Sequence, residues 1–196
     1  YWRPPGPLSD MVTPAPGDAD RLEIRPLTEA TIDQHIDAIT AIYGHHVLHG
    51  TSSWELTPPD AADMAGRAKA LLTGGYPYLL ALIDGRVAGY AYAGAYRPRP
   101  AYRYTVEHSI YVNEAERRGG VGHALMLALI ETCTARGFRQ MIAVVGDSQN
   151  QQSIRFHEKM GFRHAGLVEN IGFKFDRWMD QVLMQRALGD GAETPP

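Results

Sequence analysis

The stretch that most constrains this chain runs from Thr105 to Gly122, TVEHSIYVNEAERRGGVG. Val106 to Val112 reads as a buried strand that carries one acid, Glu107. Arg117 to Gly122 is a Gly-rich turn, and the next residues, His123 to Arg136, have the apolar spacing of a helix at Leu125, Met126, Leu129, Ile130 and Cys133. A strand, a Gly-rich turn and a helix in that order can make an anion cradle, because glycines let the backbone come close and the amides of the turn and helix N-terminus face the anion. The turn is neither a P-loop, since it lacks the Gly-Lys-Ser/Thr ending, nor a G-x-G-x-x-G fingerprint. Its pattern is Arg117-x-x-Gly120-x-Gly122. Spacing alone fits an anion-binding turn and an ordinary Gly-rich loop equally well.

Around this stretch the chain supplies the parts of one layered domain. The 196 residues suffice for a core that needs no disulfide or metal. Residues 1–20 contain Pro4, Pro5, Pro7, Pro14 and Pro16 with little apolar content, which predicts a disordered arm before a single domain over 21–188 and a flexible tail over 189–196. Leu22 to Pro26 reads as a short strand. Ile32, Ile36, Ile39, Tyr43 and Val47 predict an amphipathic helix from Thr31 to about Leu48, and Asp60 caps a second through about Leu72. Tyr78–Ile83 and Arg86–Ala95 flank an Asp84-Gly85 hairpin signal. Gln140–Val145 is a further strand, Ser153–Met160 a short helix, and Phe162–Val168 with Phe173–Arg186 a closing strand pair. The order predicts a mixed sheet with helices on its faces, an α/β or α+β layered domain.

Net charge is −3 with histidine neutral, which argues against nucleic acid as the main partner. The single cysteine, Cys133, can form no internal disulfide and sits on the apolar face of its helix, so it reads as a buried structural thiol. With no long apolar run and no signal-peptide pattern, the expectation is a soluble cytoplasmic protein that does not bind membranes. His45-His46-x-x-His49 invites a metal reading, but adjacent histidines point about 100° apart on a helix and no carboxylate completes the set, so no metal is expected.

Two motifs together make the chain resemble the GNAT N-acetyltransferase superfamily. The Arg117-x-x-Gly120-x-Gly122 turn after a strand is similar to that superfamily's acetyl-CoA pyrophosphate loop, and Asn150-x-x-Ser153-x-x-x-His157-x-x-x-Gly161-Phe162 follows its later Asn-x-x-Ala-x-x-x-Tyr-x-x-x-Gly-Phe pattern. Tyr104–Val112, Ser148–Asn150, Ser153–His157 and Gly172–Trp178 further resemble the phosphinothricin and methionine sulfone or sulfoximine N-acetyltransferases, the methionine sulfone type more closely. His157 departs from the Tyr of many GNAT enzymes but agrees with this narrower group, whereas the prolines of Arg97-Pro98-Arg99-Pro100 depart from it.

The resemblance implies a mostly antiparallel sheet with a splayed strand pair and helices on both faces. It implies acetyl-CoA as co-substrate, acetylation of the α-amine of a small amino-acid-like compound, and a homodimer, to whose interface Asp180–Arg186 can contribute. On that reading the amides of Arg118, Gly119, Gly120, Val121, Gly122 and His123 hold the pyrophosphate with the Arg117 and Arg118 charges nearby. The strand backbone at Ile110, Tyr111 and Val112 pairs with the pantetheine arm, and Asn150 bonds the same arm. Glu107 is the general base and His157 the candidate general acid toward the leaving thiolate. By the strand's period of two, Ser109 shares the face of Glu107, and His108 points away, lining the site only through its backbone. For the acceptor, Arg97 or Arg99 beside Pro98 can clamp a carboxylate, Trp54, Tyr96, Tyr102 and Phe173 can wall an apolar side chain, and Lys174 can face a polar one. Two other classes compete: an acetyltransferase of protein N-termini or lysines, which needs an open peptide groove, and a non-catalytic acyl-CoA-binding module, which has no need of Glu107 and His157.

Overall fold

The structure is a computed structural model and describes residues 22–196; the expected disordered arm lies outside the described residues. A seven-stranded sheet carries helices on both faces. In chain order the elements are β1 (Leu22–Pro26), α1 (Ile32–His49), α2 (Ala61–Thr73), β2 (Tyr78–Ile83), β3 (Arg86–Ala95), β4 (Thr105–Val112), α3 (Val121–Ala135), β5 (Gln140–Gly146), α4 (Gln151–Lys159), β6 (Arg163–Lys174) and β7 (Arg177–Ala187). The sheet order is β1-β2-β3-β4-β5-β7-β6. Every pair is antiparallel except β4 with β5.

Two cores sandwich the sheet. On one face α1 and α2 cover β2 and β3, and Ile36, Ile39, Tyr43 and Val47 of α1 are buried with Met64, Leu80 and Tyr90. On the other, Leu125, Met126, Leu129 and Cys133 of α3 pack on Ala91, Val106 and Met141, all fully buried. Burial pushes the Cys133 thiol up to about 12, so the reactive thiolate is negligible at neutral pH. The native protein should therefore give no reaction with an aromatic disulfide reagent and one equivalent in denaturant.

Local signals explain most boundaries. Asp60 Oδ1 accepts the Asp63 N–H at 2.8 Å, capping α2. Asp84 and Gly85 both take positive φ, 51° and 77°, in the β2–β3 turn, the geometry a two-residue hairpin requires. Among the boundaries that differ from the sequence reading, α4 starts at Gln151 rather than Ser153, and two others have a local cause. α3 starts at Val121 rather than His123, because Gly120 (φ 79°) swings the chain directly into the helix. β6 runs on to Lys174 and β7 starts at Arg177, where a single strand from Phe173 to Arg186 was expected. The turn between them is Phe175-Asp176, φ 53° and 55°, two residues that carry no turn signature of the Asn-Gly kind.

Candidate active site

The site begins where β4 and β5 part. They pair in parallel only from Thr105/Gln140 to His108/Ala143, after which β5 continues with β7 alone. Asn113 N–H donates to Ala88 O at 2.8 Å, and the β3–β4 register opposes Tyr111 to Tyr90. Alternation along the ladder therefore turns the backbone groups of Ser109 and Tyr111 toward β3 and those of Ile110 and Val112 into the opening. This corrects the expectation for Tyr111: β3 takes its backbone groups, and its side chain lies in the opposite core. Val112 O accepts the Nε2–H of His46 at 2.9 Å. His46 is buried, which lowers its pKa and keeps the ring neutral.

The Gly-rich turn closes the end of this opening. Gly119 N–H donates to Glu116 O at 3.2 Å, so Gly119 stabilises the turn and, contrary to expectation, has no amide to offer an anion. Arg118 and Gly120 both sit at positive φ, 80° and 79°. The first α3 amide with a carbonyl partner near this end is Ala124, on Gly120 O at 3.0 Å, which leaves the Val121, Gly122 and His123 amides at the free N-terminus. A cleft of about 410 Å³ joins Ile110, Val112, Arg118, Gly120, Val121, Gly122, His123 and Asn150. Arg117 also lines it, with its guanidinium held by Glu114 at 2.8 and 3.1 Å. Asn150 caps α4 by accepting Ser153 N–H at 3.2 Å on Oδ1, and its side-chain amide donors remain for the cleft that it lines.

Glu107 and Ser109 share the face of β4 turned toward α1 and α2, as period two requires. Desolvation raises the Glu107 carboxyl above its ordinary range, and the Arg97 charge pulls it partly back. On this same face lies a layer of tyrosines, with Tyr43 and Tyr90 each edge-on or tilted to Tyr111 at 5.1 and 5.3 Å. Burial holds the Tyr78, Tyr90, Tyr92 and Tyr111 phenols above their ordinary range, so the layer is polar but uncharged at neutral pH. Arg97 lies over the Tyr96 ring at 4.7 Å, and Arg97, Pro98 and Arg99 are exposed. Tyr96 meets Tyr102 edge-on at 5.8 Å.

The loop from Gly50 to Glu55 packs against this region, and its anchors correct two expectations. Lys174 is 5 % exposed, and its Nζ donates to Gly50 O at 3.0 Å and Ser53 O at 2.6 Å. It is a staple for the loop and does not face an acceptor. Because Lys174 points inward, its neighbour Phe173 points outward, 54 % exposed and edge-on to Trp178, and walls no pocket. Trp54 lies so close to Gly172 and Gly146 that a Cβ at either would overlap it. Tyr43 Oη completes the anchoring, bonding Ser53 Oγ at 2.9 Å and Glu55 Oε1 at 2.8 Å.

His157 is buried on α4, with Nδ1 on Ser153 O at 2.7 Å and Nε2 3.2 Å from Nε2 of His108. His108 does point away from Glu107, as period two predicts, but this direction brings it to His157. Both rings line a small cavity of about 60 Å³ in the opening, with Ser52, Ser109, Ile110 and Asn150. His45 and His46 diverge: His45 Nε2 approaches Glu114 Oε2 at 3.6 Å while His46 reaches Val112. Sequence reasoning missed the roles of His46 and His108. The spacing of His46 from Tyr43 places it on the buried face of α1, the one signal that was present.

A parallel strand pair thus parts above a Gly-rich helix start, and a carboxylate sits on the strand leading into the opening. The acetyltransferase (GNAT) family model matches residues 40–162, and the chain belongs to this family of N-acetyltransferases. It is 50 % identical over 164 residues to the phosphinothricin N-acetyltransferase of Alcaligenes faecalis, covering 84 % of this chain and 83 % of that protein. It is 39 % identical over 161 residues to the L-methionine sulfoximine/L-methionine sulfone acetyltransferase of Pseudomonas paraeruginosa, covering 82 % and 93 %. In three dimensions it is similar to a GNAT superfamily phosphinothricin acetyltransferase from Sinorhizobium meliloti crystallised in complex with acetyl-CoA, with a TM-score of 0.84, 45 % identity and coverage of 90 % and 93 %. No helix among the described residues is long and apolar enough to cross a membrane.

Proposed function

We propose that this enzyme transfers the acetyl group of acetyl-CoA to the α-amine of a small amino-acid-like acceptor of the phosphinothricin, methionine sulfone or methionine sulfoximine type, with Glu107 as general base. The observation that carries this reading is the half-buried Glu107 carboxylate on the same strand whose next residues, Ile110 and Val112, turn their backbone groups into the β4–β5 opening. The opening suits acetyl-CoA in two respects: two strand residues can pair with an amide-bearing arm, and the free α3 amides with the Arg118 charge can take a pyrophosphate. Acetyl-CoA supplies the activated thioester. Glu107, its affinity for a proton raised by burial, takes one from the acceptor ammonium directly or through a water. An Ile110 N–H directed into the opening is placed to meet a carbonyl oxygen as it gains charge. The thiolate departs with CoA and takes its proton through His157, once that ring has itself taken one up, or from solvent. Arg97, whose charge reaches Glu107, is better placed than Arg99 to hold the acceptor carboxylate beside the base.

The test is thiol release from acetyl-CoA against phosphinothricin, methionine sulfone, methionine sulfoximine, common amino acids, polyamines and a lysine peptide. Turnover confined to the amino-acid analogues is expected, and turnover of the peptide alone would replace this reading with a protein acetyltransferase. We further propose a homodimer that buries the exposed apolar side chains of β6 and β7, among them Leu167, Ile171, Phe173 and Trp178, each at least half exposed in the single chain. Light scattering on a size-exclusion column should give twice the chain mass, and Trp178→Glu with Ile171→Glu should give the monomer.

A further inference from the structure

We propose that His108 is a positioning residue for His157: Ser153 O holds His157 as the Nδ1–H tautomer, His108 Nε2–H donates to the bare His157 Nε2, and the two rings make one proton-holding unit. The inference rests on the proposed role of His157 toward the leaving thiolate. The geometry leaves one neutral arrangement. A carbonyl oxygen only accepts, so the 2.7 Å contact to Ser153 O puts the proton on His157 Nδ1. The Ser153 hydroxyl, 3.5 Å from the same nitrogen, is at the outer limit of a hydrogen bond and does not compete. A neutral His157 then has a bare Nε2, and the 3.2 Å contact to His108 is a bond only if His108 Nε2 carries its proton. His108 Nδ1 is therefore bare, and it is buried without a hydrogen-bond partner. The cavity that both rings line has room for a water molecule.

This arrangement limits what the pair can do. Resting His157 has no Nε2 proton to give. It can gain one only if His108 becomes the acceptor at Nε2 and carries its own proton on Nδ1. The pair thus takes up a single proton, and the position of that proton belongs to both rings. Beside the Ser153 hydroxyl and the uncharged Ser52, Ser109 and Asn150 of the shared cavity, the rings meet Phe162, at 5.5 and 5.3 Å, and His157 meets Phe156 at 5.3 Å. Arg155, Glu158 and Lys159 of α4 are exposed, and Glu107 occupies the opposite face of the sheet. Burial and the neighbouring His157 push His108 down to about 3, and burial lowers His157, so both rings are neutral at rest.

The test is tautomer-sensitive two-bond proton–nitrogen NMR on the full chain with ring-labelled histidine at pH 7.5, the two rings being assigned by their loss in His108→Gln and His157→Asn. The expected result is Nδ1–H for His157 and Nε2–H for His108. Both His108→Gln, which can donate to His157 but cannot hold a proton, and His108→Phe, which can do neither, should change the pH profile of kcat, and His108→Phe should lower kcat roughly tenfold or more while acetyl-CoA affinity stays within about twofold. An Nε2–H tautomer of His157 in the unaltered protein would overturn the proposal. So would a folded Phe variant with the original pH profile. The spectra need no acceptor, so they stand or fall separately from the proposed acetyl transfer.

Discussion

Replacing Glu107 by Gln should lower kcat about a hundred- to ten-thousand-fold, the usual contribution of a positioned general base, while acetyl-CoA affinity stays unchanged. The amide preserves the shape of the side chain, and the backbone groups assigned to the cofactor are those of Ile110 and Val112. The pH profile checks the assignment independently. Below its raised pKa the carboxyl is protonated and cannot accept, so activity should fall on the acid side of that pKa and this limb should vanish in the Gln variant. Removing the Arg97 charge, which opposes the burial effect, should move the limb to higher pH. Stability should respond with the opposite sign. The folded protein holds the Glu107 proton more tightly than the unfolded chain, so folding stability drops as pH rises from the ordinary carboxyl pKa through the raised one. Above that window Glu107→Gln should melt at the same temperature as the parent or higher. A folded Gln variant with full transfer activity would remove Glu107 from the mechanism.

Lys174→Met should destabilise the protein by about 2–4 kcal/mol, because Gly50 O and Ser53 O lose the buried donor they share. For a chain of this size the melting temperature should fall by roughly 5–15 °C. The loss should not stop at stability. The stapled segment carries Ser52, which lines both the cleft and the small cavity, so KM for acetyl-CoA should rise with a smaller change in kcat. Had Lys174 faced the acceptor, the same substitution would alter acceptor preference and leave the melting temperature alone. Differential scanning calorimetry with a steady-state series separates the two.

Much of this architecture was legible because it is written in local patterns. The buried stripe of α1, the Asp60 cap, the Asp84-Gly85 turn and the Gly-rich start of α3 each depend on residues within a few positions of one another. The alternation that put Glu107 and Ser109 on one face and His108 on the other was equally readable. What could not be read depends on partners distant in sequence. Which way the Tyr111 backbone turns is decided by the register with β3, and a one-residue slip would exchange its role with Ile110. Lys174 resembles a site lysine until Gly50 and Ser53, more than a hundred positions earlier, are seen to occupy it. The β6–β7 turn was hidden because Phe175 and Asp176 adopt left-handed geometry without the residues that usually announce it.

The short parallel ladder between β4 and β5 has a mechanical consequence. The sheet is two plates, β1 to β4 and β5 with β7 and β6, and only the stretch from Thr105/Gln140 to His108/Ala143 joins them edge to edge. Such a joint acts as a hinge at one end of a wedge, where a small rotation at the ladder becomes a larger change in gap at Val112 and Gly146. Val106 and Met141, paired within that ladder and fully buried, are the packing that fixes the angle. Changing their volume would adjust the width of the β4–β5 opening from below, without touching a residue that lines its cavities.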